Sequence, residues 1–104
     1  MVQHVNFEQL KDLIASGKTV FCDFWASWCG PCRALAPVFE EIANRYEGRA
    51  EFVKINVDEE MEAAMQYGIS SIPNIIVFKD GAKAGNNLGF VPAPALTAFV
   101  ERYL

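Results

Sequence analysis

Cys29-Gly30-Pro31-Cys32 sets two thiols three positions apart, and a pair so spaced can close and reopen a small disulfide ring by exchanging two electrons. Closure needs Cα atoms about 4.4–6.8 Å apart, which residues i and i+3 of a helix satisfy without distorting the backbone. The residues on either side say where the pair sits. A continuously apolar, β-prone run, Thr-Val-Phe-Cys-Asp-Phe-Trp over 19–25, leads in, and a helix-like stripe from about Pro31 to Tyr46 leads out. A CxxC at a strand-to-helix junction reads as a redox site.

At a helix start the two sulfurs are not equivalent. Cys29 falls at the exposed N-terminal end, where unpaired N–H groups and the helix dipole stabilise a thiolate and so raise the fraction of nucleophile near neutral pH. Cys32, one turn in and more buried, is expected to stay a thiol until needed. Pro31 suits the first turn because its missing N–H removes a donor that lacks a partner there. Two further residues make sense beside this pair. Asp23 is an acid in the middle of an apolar strand, six residues before Cys29. Burial should raise its pKa and let it hold or pass a proton near neutral pH. Lys54 alternates with apolar neighbours on the next strand, where its charge can moderate that rise.

Size and composition narrow the setting. The 104 residues suffice for one domain with its own core, read as spanning 1–104. Apolar residues make up 52% and charged residues 21%, a globular rather than a disordered balance. A formal charge of −4 argues against nucleic acid, which calls for a basic stripe, and gives no attraction to anionic lipid. The longest apolar runs are strand-sized, short of a membrane span. The N-terminus carries no basic segment followed by a long apolar one, so no secretory signal is expected. Three cysteines leave one unpaired in a monomer, which fits a reducing compartment, the cytoplasm, better than a secreted disulfide scaffold.

The elements that must position the thiols follow from periodicity. Asn6 can cap a first helix, with Gln9 at the capping-box position and Val5 and Leu10 as a hydrophobic staple. Ser16-Gly17 ends it, and the strand at 19–25 is apolar enough to be covered on both faces. In the next helix Leu35, Val38, Phe39, Ile42 and Tyr46 form the buried stripe, and Pro37 inside it should bend the axis. Glu51–Asn56 is a strand. Asp58 is expected to cap a short helix through Tyr67, with Gly68 at C′. Asn74–Lys79 is a strand, Asp80-Gly81 a hairpin turn, and Ala82–Leu88 a weak edge strand, because Gly85-Asn86-Asn87 are poor strand formers. Ala95–Leu104 forms the last helix, and residues 2–5 add a small strand. The fold class is α/β: a central mixed sheet of four to five strands flanked by four helices, parallel where helices cross over and antiparallel in the final hairpin.

With these residues in place the chain resembles the thioredoxin family. The run Asp23-Phe-Trp-Ala-Ser-Trp-Cys-Gly-Pro-Cys32, Ala36-Pro37, Lys54-Ile-Asn-Val-Asp58, Gly68-Ile-Ser-Ser-Ile-Pro73 and Gly89 occur in order and with family-like spacing over essentially the whole length. The association of such a CxxC with redox chemistry was framed on thioredoxin-like proteins, so it is the same signal and not a second one. The resemblance implies the thioredoxin fold and reduction of protein disulfides, with Cys29 attacking and Cys32 resolving. It makes Asp23 the buried acid that assists deprotonation of Cys32 and Pro73 a cis-proline facing the disulfide. Ile72 would offer backbone hydrogen bonds to an extended substrate segment. Trp28, Gly30, Pro31, Ile72 and Gly89 would border an apolar docking surface. It implies a monomer with no bound cofactor and no metal, recharged by a separate reductase of the thioredoxin reductase kind. Four features depart from the family: Asn74 stands where Thr is usual, Phe90 where a small residue is usual, Pro92 and Pro94 stiffen the approach to the last helix, and Gly-Asn-Asn weakens the edge strand.

Competing readings have less support from the residues. A closed zinc site needs four ligands, and only Cys22 and His4 are left to join the pair. Cys22 reads as an inert core thiol on the opposite strand face from Asp23, and His4 as an ordinary surface residue. Trp25 reads as packing and Trp28 as docking surface. A disulfide oxidase or isomerase usually carries a different dipeptide, often with His, between its cysteines. A partner-binding module that docks on Trp28, Ile72 and Phe90 without turnover is the alternative from another class.

Overall fold

In the computed structural model, which describes residues 1–104, nine elements follow one another: β1 Gln3–His4, α1 Phe7–Ala15, β2 Val20–Trp25, α2 Gly30–Arg45, β3 Glu51–Asn56, α3 Met61–Gln66, β4 Asn74–Lys79, β5 Ala82–Leu88 and α4 Ala93–Glu101. The strands form one five-stranded sheet in the order β1-β3-β2-β4-β5. Strand β3 runs parallel to β1 and to β2, β4 is antiparallel to β2, and the β4–β5 hairpin is antiparallel. The mixed sheet and its four helices are those expected from the alternation.

Strand β2 lies at the centre, and its side chains are divided between two cores. Phe21 packs with Phe52, Ile75 and Val77 under the α2 and α4 residues Leu35, Phe39, Ile42, Leu96 and Phe99. Val20, Cys22 and Phe24 point the other way, with Val53, Ile55 and Ile76, towards Leu10 of α1 and Ala63 of α3. The Phe21 and Phe52 rings stack at 5.1 Å. Truncating a fully buried Phe21 to Ala should therefore cost about 3–5 kcal/mol. Asp23 occupies a position on the Phe21 side that burial would otherwise give to an apolar residue.

Several local expectations hold. Asn6 and Gln9 form a reciprocal capping box, their side chains accepting from each other's backbone N–H at 2.8 and 2.9 Å. Asp80 and Gly81 both have positive φ, 55° and 88°, as a two-residue hairpin turn of matching twist requires.

Two helix starts differ from expectation. Helix α3 begins at Met61 behind Glu60 and has no side-chain cap. Asp58 does not serve it, because its carboxylate accepts the Trp28 indole N–H at 2.8 Å. The chain between makes a turn instead, in which Glu59 and Glu60 N–H donate to the Asn56 carbonyl. Helix α4 starts two residues early, at Ala93, and ends at Glu101. Pro94 sits in its first turn, where a residue without an N–H costs nothing.

Candidate active site

The site is built where β2 stops. After Trp25 the chain turns, Cys29 N–H donating to the Ala26 carbonyl, and α2 begins at Gly30 with Cys29 as its N-cap in extended conformation. The cap is a sulfur: Cys32 N–H donates to Cys29 Sγ at 3.2 Å. A helix N-terminus aimed at Cys29 favours negative charge on that atom over the thiol. Cys29 and Cys32 are joined as a disulfide with Cα atoms 5.2 Å apart. Pro31 and Gly30 stand exposed in the first turn. Arg33 fastens the preceding loop by donating to the Ser27 carbonyl at 3.0 Å, a tie that periodicity does not show.

Cys29 is less open than its place at a helix start suggests. It is 5% exposed and Cys32 1%, because Trp25, Val57 and Ile72 pack on the small cluster that the two cysteines form with Ala26. The Ile72–Pro73 bond is cis, and the Ile72 carbonyl oxygen lies 3.8 Å from Cys29 Sγ. Gly89 joins the rim by donating its N–H to the Pro73 carbonyl at 2.7 Å, at a φ of 88° that favours glycine.

Asn86 and Asn87, poor strand formers by type, hold this rim. Asn86 donates to the side-chain oxygen of the buried Asn74, and Asn87 donates to the Gly89 carbonyl. Asn74, the departure beside Pro73, is therefore turned towards β5 and held there. Trp28 is 68% exposed and shares a cavity of about 320 Å³ with Ile72. Phe90 is 48% exposed but lies outside that cavity.

Asp23 is fully buried, and neither carboxylate oxygen has a hydrogen-bond partner. Burial pushes its pKa up to about 7, and the Lys54 ammonium holds it from rising further. The two residues are register neighbours, with Lys54 Nζ 4.0 Å from Oδ2, an ion-pair distance too long for a hydrogen bond. Lys54 also lies over the Trp25 ring at 4.7 Å, and His4 packs edgewise on the same ring. Cys22 is buried in the opposite core, where burial first, and the Asp23 carboxylate second, push its thiol well up. No three His, Cys, Asp or Glu side chains come together as a metal-ligand group.

The thioredoxin family profile matches residues 1–102. This chain belongs to the thioredoxin family. It is 47% identical over 103 residues to a thioredoxin of Synechocystis, covering 99% of this chain and 94% of that one. It is 47% identical over 94 residues to thioredoxin 1 of Nostoc, covering 90% and 88%. A chloroplastic M-type thioredoxin of Chlamydomonas reinhardtii is 46% identical over 101 residues, covering 96% of this chain and 72% of that one. Among solved structures, the thioredoxin of Malassezia sympodialis superposes with a TM-score of 0.91 at 35% identity, over 98% of this chain and 92% of that one. The thioredoxin of Plasmodium falciparum gives the same score at 33% identity, over 98% and 99%. With the Cys29–Cys32 pair at disulfide distance in the active-site position, the chain is a thiol–disulfide oxidoreductase, a protein-disulfide reductase of this family.

Proposed function

We propose that Cys29 is the attacking thiol, Cys32 the resolving thiol and Asp23 the proton acceptor. The Cys32 N–H directed at Cys29 Sγ carries this assignment, because it stabilises charge on one sulfur of the pair and not on the other. The Cys29 thiolate attacks one sulfur of a protein disulfide, forms a mixed disulfide and expels the other substrate sulfur as a thiolate. The Cys32 thiol then gives its proton to the Asp23 carboxylate, and its sulfur attacks Cys29 and expels the second substrate thiolate. Two electrons pass from the cysteine pair to the substrate, and the Cys29–Cys32 disulfide remains. Lys54 acts through Asp23, keeping part of its population ionised near neutral pH. Trp28, Gly30, Pro31, Ile72, Pro73 and Gly89 border the surface on which the substrate lies, Ile72 offering its backbone to an extended segment.

A separate reductase of the thioredoxin reductase kind restores the dithiol, and the protein works as a monomer carrying electrons in the cytoplasm. A Cys32→Ser variant should accumulate mixed disulfides attached to Cys29, identifiable by mass spectrometry after non-reducing capture. If adducts form on Cys22 instead, or on neither residue, the assignment fails. Replacing both Cys29 and Cys32 with Ser separates turnover from docking: insulin-disulfide reduction should vanish, whereas undiminished biological function in that variant would favour a binding module. A potential against glutathione as high as that of an oxidase would reverse the direction of transfer.

A further inference from the structure

The mixed-disulfide step constrains what surrounds the substrate cysteine. With 5% of Cys29 exposed, a disulfide sulfur can reach Cys29 only with its neighbours pressed against the rim. On one side that rim is the cavity lined by Trp28, Val57, Met61, Met65, Ile69 and Ile72. Val57 and Ile72 also pack on the cysteine cluster, so the cavity wall is continuous with the reacting atoms. The outer edge of the cavity is the pair Met61 and Met65, 67% and 80% exposed and one helical turn apart on the same face. Trp28 forms the facing edge and is held there by its indole bond to Asp58.

Resting on the assignment of Cys29 as nucleophile, we propose that Met61 and Met65 complete a side-chain pocket that selects substrates with a large apolar residue within two positions of the reactive cysteine. A volume of about 320 Å³ is at the bottom of the range for whole ligands and suits a side chain. Unbranched thioethers adapt to differently shaped apolar groups, so the pocket favours apolar character without fixing one shape. Val57 and Ile72 belong both to the cavity wall and to the packing around the cysteine pair, so a group seated there lies beside the disulfide under attack, which favours a substrate segment over a second copy of the chain.

The test uses disulfide-linked dimers of short peptides with one cysteine flanked by Leu, Phe, Ser or Glu on either side, and bis(2-hydroxyethyl) disulfide, which has no side chain to seat. The protein should reduce Leu- or Phe-flanked dimers with a kcat/KM about tenfold above Ser-flanked ones, equivalent to about 1.4 kcal/mol. Met61→Ser/Met65→Ser should reduce that preference to within about twofold, and Met61→Leu/Met65→Leu should keep it. All three proteins should reduce bis(2-hydroxyethyl) disulfide equally. Both methionines are exposed, so the fold should tolerate either exchange. Absence of a flank preference, or one that survives the double Ser exchange, overturns the pocket while leaving the chemistry of Cys29 intact. Failure of the unsubstituted protein to reduce bis(2-hydroxyethyl) disulfide overturns the nucleophile assignment and the pocket with it. A dimer by sedimentation at assay concentration that the Ser exchange dissociates would assign the groove to a second copy and overturn the substrate reading.

Discussion

Asp23 and Cys29 are set up by opposite means. A free backbone N–H of α2 makes charge on the Cys29 sulfur easier, whereas full burial without a hydrogen-bond partner makes charge on Asp23 harder. An acid with a pKa near 7 is half ionised where the cell works, and so can accept the Cys32 proton and later release it. Release of substrate from the mixed disulfide should therefore speed up as pH rises through about 7. In Asp23→Asn that inflection should disappear and the rate at pH 7 should fall at least about tenfold, given the usual magnitude of general-base effects. Single-turnover release followed from pH 5.5 to 8.5 reads both; an unchanged profile removes Asp23 from the mechanism. Lys54→Met should move the inflection upward, because the only charge lowering the Asp23 pKa is then gone. The chemistry of these residues is legible in the sequence because type and spacing carry it: a CxxC, an acid in an apolar strand, a lysine on the next. The near-complete burial of Cys29 is not, since it depends on Val57 and Ile72, which reach it only through the fold.

Elements marked by a β-prone apolar run or by a cap are also legible. Strands β3 and β4 run over the residues their sequence indicates, and α1 starts at the capping box. Illegible parts are those decided by side chains distant in sequence. Asp58 has the residue type of a cap, yet the Trp28 indole, 30 positions away, takes its carboxylate. The same holds for β5, whose Gly85-Asn86-Asn87 looks like weakness and proves to be fit. Asn86 and Asn87 hold Asn74 and Gly89, and a Cβ on Gly85 would overlap the Tyr103 ring and hydroxyl. Tyr103 packs on Phe99 of α4 at 5.3 Å, and its carbonyl accepts from Lys79 of β4, so β5 and the end of α4 meet at that glycine. Gly85→Ala should destabilise the protein by about 1–3 kcal/mol through overpacking. On a Tyr103→Ala background the same exchange should cost less than about 0.5 kcal/mol, a coupling that a double-mutant cycle in urea measures. Equal costs on both backgrounds would mean that the Tyr103 contact is not what makes glycine necessary there.

Over the whole molecule, the acid in the central strand sets a pH dependence of folding. In the unfolded chain Asp23 titrates near the ordinary value of about 3.9; in the folded chain burial raises it to about 7. Between those values the native state binds the proton and the unfolded state does not, so stability must fall as pH rises. The favourable contribution of the protonated form is complete below about pH 4 and is lost as pH passes through about 7, a total of about 4 kcal/mol at 1.36 kcal/mol per unit. This is opposite to the common case of a carboxylate stabilised by an ion pair. The 4.0 Å Lys54 contact is too distant to reverse it, because desolvation, not Lys54, is the larger influence on Asp23. Asp23→Asn removes the titration while keeping the shape. Its gain in stability over the parent should be about 3 kcal/mol larger at pH 8 than at pH 5, whatever constant cost the unpaired amide brings. Urea unfolding of the oxidised protein at the two pH values isolates this group, since Cys29 and Cys32 are then tied as a disulfide and Cys22 titrates far higher. Parallel stability curves for the two proteins would mean that burial does not raise the Asp23 pKa in the folded state, leaving a carboxylate too weakly basic to be half protonated near pH 7.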